Sequence, residues 1–249
     1  MIVQSNGHIG RASAERRSAT ELREKLPTGS SGPAAPPPSR VVWNRHENPV
    51  AAFGEAMGAT MKFSRNVEIY GAGEPAEYLY QVVGGAIRTS RFLIDGRRQI
   101  GGFYLPGDIF GLDAGDDHAY SAEAVVDSKV AVIKRSAVIG LAARDGEVAR
   151  QLWALTWREL ARAQDHMLLL VKSAHERVAG FLLEMASRRP ERDEIELPMS
   201  RQDIADYLGL TIETVSRTLT NLETEAAIAL PSSRRIVMRN RTALGQMSE

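Results

Sequence analysis

The residues best suited to do chemistry lie between positions 198 and 222. Val215, Leu219 and Leu222 recur at helical spacing, which leaves Glu213, Thr214, Ser216, Arg217 and Thr220 on the polar side of one short helix. An arginine fork fits the O6 and N7 acceptors of guanine, and a carboxylate accepts from the amino group of cytosine. Residues near the start of such a helix reach base edges in a major groove. Just upstream, Ser200 is a natural N-cap, with Asp203 three residues on, where a capping box would carry Glu. Ile204, Ala205 and Leu208 give this first helix an inward face. Gly209 supplies the left-handed residue that stops it, and Thr211 caps the second helix. Two short helices joined by a glycine turn form a helix-turn-helix. Beyond them, residues 228–230, a Pro-Ser-Ser turn and residues 234–239 read as a short hairpin, or wing, in which Arg234 and Arg235 are available to phosphates.

Charge sets how such a unit could bind. The chain has 31 Lys plus Arg against 31 Asp plus Glu, so it is not globally basic. Residues 174–249 hold ten arginines and no lysine against twelve acids, a net charge of about −2. The positive charge is local, at Arg201, Arg217, Arg234, Arg235, Arg239 and Arg241. Binding should therefore rest on specific contacts and fall steeply with salt. The absence of cysteine excludes disulfides, thiolate nucleophiles, zinc-thiolate sites and cysteine-held iron–sulfur clusters. No apolar run approaches the roughly 18 residues of a membrane span, and the polar opening of residues 1–30 has no apolar leader core. The expectation is a soluble cytoplasmic chain without membrane partners.

The elements that must position this unit differ along the chain. Residues 1–40 hold five of the eleven prolines among Ser, Gly and Arg, and read as a mobile tail. Runs at 67–70, 78–83, 86–93, 99–105 and 129–134 are rich in Val, Ile, Tyr and Phe and are punctuated by glycine. They predict an antiparallel β-roll, or jelly roll, over 41–145, with Asp95-Gly96 as a two-residue hairpin turn. Residues 147–173 contain no Gly or Pro and predict one helix of about 27 residues. On it Ala149, Trp153, Thr156, Leu160, Ala163, Met167 and Leu170 are spaced alternately four and three apart, the seam of a coiled coil between two copies. Leu152, Leu155 and Leu169 lie off that seam, toward the subunit's own core. A second helix is expected over 174–189, with Val178, Phe181, Leu182 and Met185 inward. The fold class is thus α+β: a β-roll sensor domain, a dimerisation helix at 146–173 and a winged helix-turn-helix at 174–249.

With these parts assembled, residues 60–240 resemble the CRP/FNR superfamily of bacterial transcription regulators. Pro106-Gly107-Asp108-Ile109-Phe110-Gly111 is similar to the segment that precedes the family's effector cassette, and Glu213-Thr214-Val215-Ser216-Arg217 to the Glu-x-x-Ser-Arg signature of its FNR branch. Within that branch the chain most resembles FixK-type regulators of rhizobial low-oxygen and symbiotic genes. The resemblance implies that Glu213, Ser216 and Arg217 read bases. Ile212 stands where the cyclic-AMP branch has arginine, which favours half-sites of the TTGAT type. It also implies that Ser200, Arg201, Gln202 and Thr211, with Thr214 beside them, lie near phosphates, and that a homodimer on double-stranded DNA activates transcription by recruiting RNA polymerase.

Two departures bear on control. Cyclic-nucleotide binders carry Gly-Glu and later an arginine to hold ribose and phosphate; here Gly111 is followed by Leu112 and Asp113, and residues 120–124 contain no arginine. The FNR members that sense oxygen hold a cluster with cysteines. The implied protein works without a cofactor or small effector. An effector-gated sensor is the alternative, with His46, His118, His166 and His175 available to haem. A cupin-type metal enzyme is a further one, but it needs several histidines converging on a metal, and His118 is the only one in the strand-rich residues 60–135.

Overall fold

A computed structural model describes residues 57–188 and 193–248. The expected tail at 1–40 and His46 lie outside the described residues. Eight strands come first: β1 (Met57–Phe63), β2 (Glu68–Tyr70), β3 (Tyr78–Gly84), β4 (Ile87–Phe92), β5 (Arg98–Tyr104), β6 (Ile109–Phe110), β7 (Ser121–Ala124) and β8 (Ser128–Lys134). They form two four-stranded antiparallel sheets, ordered β1-β8-β3-β6 and β2-β7-β4-β5. Inward side chains from both sheets fill the space between them: Tyr70, Ile87 and Ala122 from one, Tyr80, Val82 and Phe110 from the other. The β-roll expected from the alternating runs is present. Strands β1, β6 and β7 were not anticipated, because Gly58-Ala59, a two-residue Ile109-Phe110 and Ser-Ala-Glu-Ala carry little strand signal and become strands only by pairing.

The β4–β5 turn corrects the two-residue hairpin. Gly96 N–H donates to Leu93 O at 3.0 Å, Leu93 N–H donates to Arg97 O at 2.8 Å, and of the turn residues only Gly96 has a positive φ, +83°. A two-residue turn at Asp95-Gly96 needs both in the left-handed region; one such glycine after a turn instead makes a three-residue loop, Ile94-Asp95-Gly96.

Helices α1 (Arg135–Ala142), α2 (Gly146–Leu170) and α3 (Ala174–Ser187) follow. The long helix stops at Leu170 rather than 173, because Ser173 leaves it to cap α3. Ser173 Oγ accepts from Glu176 N–H, and Glu176 reaches back to Ser173 N–H at 2.7 Å. The two helices cross closely: a Cβ on Gly180 would stand 2.7 Å from Leu169 Cδ1. Leu155 is buried with Val148 against Leu79, Ile109 and Ile133 of the β-roll, and Leu152 packs on that cluster. The opposite stripe is exposed in the single chain from Trp153 (70%) to Met167 (62%), but Leu170, expected on the same seam, is half-buried because it lies against the turn at Gly209, 3.7 Å from where a Cβ there would stand.

The remaining elements are β9 (Glu194–Glu196), α4 (Arg201–Leu208), α5 (Ile212–Thr224), β10 (Ile228–Ala229), β11 (Arg235–Met238) and α6 (Arg241–Met247). The wing is a three-stranded sheet ordered β10-β11-β9, one strand more than the expected hairpin. One apolar cluster runs without interruption from Ile100 and Phe103 of β5 through Phe181 and Leu182 of α3 to Tyr207, Val215 and Leu219. The Phe103 ring centroid lies 5.3 Å from that of Tyr207 and 6.3 Å from that of Phe181. The β-roll and the helix-turn-helix thus share a core.

Candidate nucleic-acid interface

The helix-turn-helix is built by its caps. Ser200 Oγ accepts from Asp203 N–H at 3.1 Å, and the Asp203 carboxylate accepts from Ser200 N–H at 3.0 Å. Asp203 thus closes the box that usually takes Glu. Gly209 ends α4 at φ +63°, a conformation that costs a residue with a Cβ. Thr211 then caps α5 by accepting from Thr214 N–H at 3.2 Å. Val215, Thr218, Leu219 and Leu222 are buried under α5. The amphipathic spacing leaves Glu213, Ser216 and Arg217 exposed on the other side, as the sequence predicts, with Ile212 just over a third exposed beside them. Backbone N–H at the helix start and the Thr211 hydroxyl hold the Glu213 carboxyl below its usual range, so it is an acceptor at neutral pH.

The predicted phosphate residues fall in three places. Ser200, Arg201 and Gln202 are at the start of α4, Thr211 and Thr214 at the start of α5, and Arg234 and Arg235 enter β11. At each helix start the cap takes one backbone N–H, that of Asp203 and that of Thr214, and the first-turn N–H groups left without an intrahelical partner suit anions. Arg201 is half-buried, and burial lowers its pKa. Besides the cap bonds of Ser200, Thr211 and Thr214, two of these residues have side-chain partners: Gln202 Nε2 donates to Asp206 Oδ1 at 2.7 Å, and Arg235 pairs with Glu194 of β9. Sequence reasoning missed both pairings, and it missed a larger group behind α4, where Arg88 and Arg98 of the β-roll meet Asp203 and Asp206. No local signal could have found that group, since its members lie more than a hundred residues apart.

The β-roll contains a cavity of about 120 Å³ lined by Tyr70, Tyr104, Phe110, Asp113, Tyr120 and Glu159 among others, none of them basic. Burial raises the pKa of Glu159, which lies 3.2 Å from Tyr104 Oη. His118 is buried beside it, stacked on Tyr70 at 3.6 Å with Nδ1 2.7 Å from Asp113 Oδ2. His166 stacks on Tyr207, and His175 stands 3.5 Å from Glu225. Among the described residues, no three His, Cys, Asp or Glu side chains converge as a metal site. Among them, too, no helix is long and apolar enough to cross a membrane.

Comparison with known proteins bears on the same two regions. Residues 176–247 match the model of the Crp-like helix-turn-helix domain, and residues 60–145 that of the cyclic nucleotide-binding domain. The nitrogen fixation regulation protein FixK of Azorhizobium caulinodans is 50% identical, over 77% of this chain and 80% of its own. FixK of Rhizobium meliloti is 44% identical, over 77% of this chain and 87% of its own. The solved structure of FixK2 from Bradyrhizobium japonicum superposes with a TM-score of 0.74 at 52% identity, covering 77% of this chain and 97% of that one.

Proposed function

The chain belongs to the CRP/FNR family of DNA-binding transcription regulators as a FixK-type member, not to a family of enzymes, and on that premise we propose that it binds palindromic TTGAT-type sites as a homodimer, without a small effector, and recruits RNA polymerase in the cytoplasm. The observation that carries the reading is the exposed Glu213, Ser216 and Arg217 at the start of α5, with Ile212 beside them. Arg217 donates to guanine, Glu213 accepts from cytosine, and Ser200, Arg201, Gln202, Thr211, Thr214, Arg234 and Arg235 fix the register on phosphates. Gln202 and Arg235 exchange their intrachain partners for phosphate on binding. The exposed stripe of Trp153, Thr156, Leu160, Ala163 and Met167, which the half-buried Leu170 continues, supports a second copy, and a dimer about that seam would hold two reading helices about 34 Å apart. The β-roll cavity supports effector independence: at about 120 Å³ and without a basic lining residue it suits no phosphate ester, and ligand sites usually span ~300–1,000 Å³.

The test is fluorescence anisotropy at fixed salt with no small molecule added, on a TTGAT palindrome and a scrambled duplex. Tight, selective binding is expected. Binding that is weak on both, and becomes selective only when a ligand is supplied, would overturn effector independence.

A further inference from the structure

We infer that Arg88 and Arg98 form an ionic latch that fixes the first helix of the helix-turn-helix on the β-roll and thereby presets the pose in which α5 meets DNA. The inference rests on the DNA-binding reading above and adds what holds the reading helix in place.

The latch centres on one carboxylate with two tasks. One oxygen of Asp203 accepts from Ser200 N–H and Oγ, at 3.0 and 2.8 Å, and so caps α4. The other accepts from Arg88 Nη1 at 3.0 Å and from Arg98 Nη2 at 2.7 Å. Arg98 Nε also donates to Asp206 Oδ2, one turn on, at 2.7 Å. Arg88 is aimed by Glu123 of β7, 2.6 Å from its Nη2. The far end of α4 is held as well. Its last-turn carbonyls lack partners within the helix. Tyr207 O accepts from Gln99 Nε2 at 3.2 Å and His166 Nε2 at 2.8 Å, and Leu208 O accepts from Arg177 Nη1 at 2.8 Å. Anchors on β4, β5, α2 and α3 thus grip both ends of one helix.

The shared apolar core beneath, Phe103 against Tyr207, is non-directional and permits rotation. Arginine forks on carboxylates are directional and select a single pose. Arg88 and Asp203 are 8% and 4% exposed, so salt screens this contact less than a surface pair. Removing the arginines would strand a buried carboxylate, which then favours a separated, hydrated α4. The latch grips the back of the unit, while Glu213, Ser216 and Arg217 stay exposed. It is therefore a holder of the binding pose rather than a cover over it, and permanent charges do what a ligand would otherwise have to do.

The test is the full-length Arg88→Met/Arg98→Met variant, which keeps both apolar stems and leaves the α4 cap untouched. Because the chain has no cysteine, spin labels can be placed at Lys129→Cys and Asn221→Cys alone and diluted with unlabelled chain to isolate the intrachain distance. The unaltered latch should give one narrow distance and the double variant a broad one. Affinity for the palindrome should fall by about tenfold, as for a competent pose populated roughly one-tenth of the time, with the dimer unchanged in sedimentation. Arg98→Lys, which keeps a charge beside Asp203, should fall between the two and stands in if the double variant does not fold. An unchanged narrow distance would mean that the apolar core alone sets the pose and would overturn the latch. So would a broad distance with equal or tighter DNA binding. An unaltered protein indifferent to the palindrome would sink the DNA reading instead, and the distances would still decide whether α4 is latched.

Discussion

Arg217 is the residue on which sequence discrimination should turn. It is exposed, one helical turn into α5, and its neighbours Glu213 and Ser216 share its face. Arg217→Ala should cost about 1–3 kcal/mol on the specific site and relax the preference for guanine. Titrations of the palindrome and of single-base variants would show it. An equal loss on random DNA would assign Arg217 to a phosphate. This face was legible in the sequence because caps and apolar spacing are local: Ser200, Gly209 and Thr211 announce their roles within a few residues of the groups they serve. The arginines behind α4 were not legible. Arg88 and Arg98 look like any strand-borne charges until the fold brings Asp203 and Asp206 to them. For the same reason the sequence shows Asp203 only as a cap.

At the scale of the element, α2 divides its two faces as its spacing predicts from Trp153 to Met167, and Leu170 at its end leaves the exposed seam. Leu155 is buried against the β-roll, whereas Trp153 and Leu160 are 70% and 46% exposed. Among the described residues Trp153 stacks on Trp157 alone, with ring centroids 6.5 Å apart, and Trp157 is itself exposed. Because these side chains contribute little to the protomer's own core, Leu160→Asp should convert the protein to monomers at micromolar concentration with the protomer's fold intact, and Trp153→Ala should weaken the dimer. Sedimentation velocity with circular dichroism separates the two effects; an unchanged sedimentation coefficient would make the stripe a solvent face. The ends and small strands were harder to read than this helix. A run free of Gly and Pro gives no sign of a stop at Leu170, which is set by the reciprocal bonds of Ser173 and Glu176. Strand β9 offers a single inward residue, Ile195, between two glutamates, and exists because it pairs with β11. Helix α6 starts where Asn240 caps it, with Oδ1 accepting from Ala243 N–H at 2.9 Å, in a segment too short for periodicity to register.

Across the whole molecule, half-buried and buried titratable groups couple the β-roll, the long helix and the helix-turn-helix to pH, with opposite signs. His166 of α2 stacks on Tyr207 of α4 at 3.9 Å, and burial lowers its pKa despite the hydrogen bond to Tyr207 O and the charge of Glu184. The folded protein therefore holds fewer protons there than the unfolded chain. The stabilisation is present above the ordinary imidazole value of about 6.5 and is lost as pH falls below it. Asp203 acts in the same direction in a lower window. Burial raises its pKa, but the Ser200 hydrogen bonds and Arg88 and Arg98 more than offset that, so its contribution is lost as acid reaches the ordinary carboxylate range. Glu159 runs the other way. Burial raises its pKa against the charges of Arg162 and Arg188, with Asp108 adding to the rise, so its site favours the folded state at low pH and loses that advantage as pH climbs through its raised value. Acidification from about pH 7.5 to about 5.5 should therefore loosen α4 from α2 while leaving the contact of α2 with the β-roll firm. Amide exchange should show it as faster exchange along α4 and unchanged or slower exchange near Glu159. His166→Gln keeps a donor for Tyr207 O without a titrating ring, and should remove most of the pH response of α4 above the carboxylate range. An α4 response of the same size in that variant would move the sensor elsewhere.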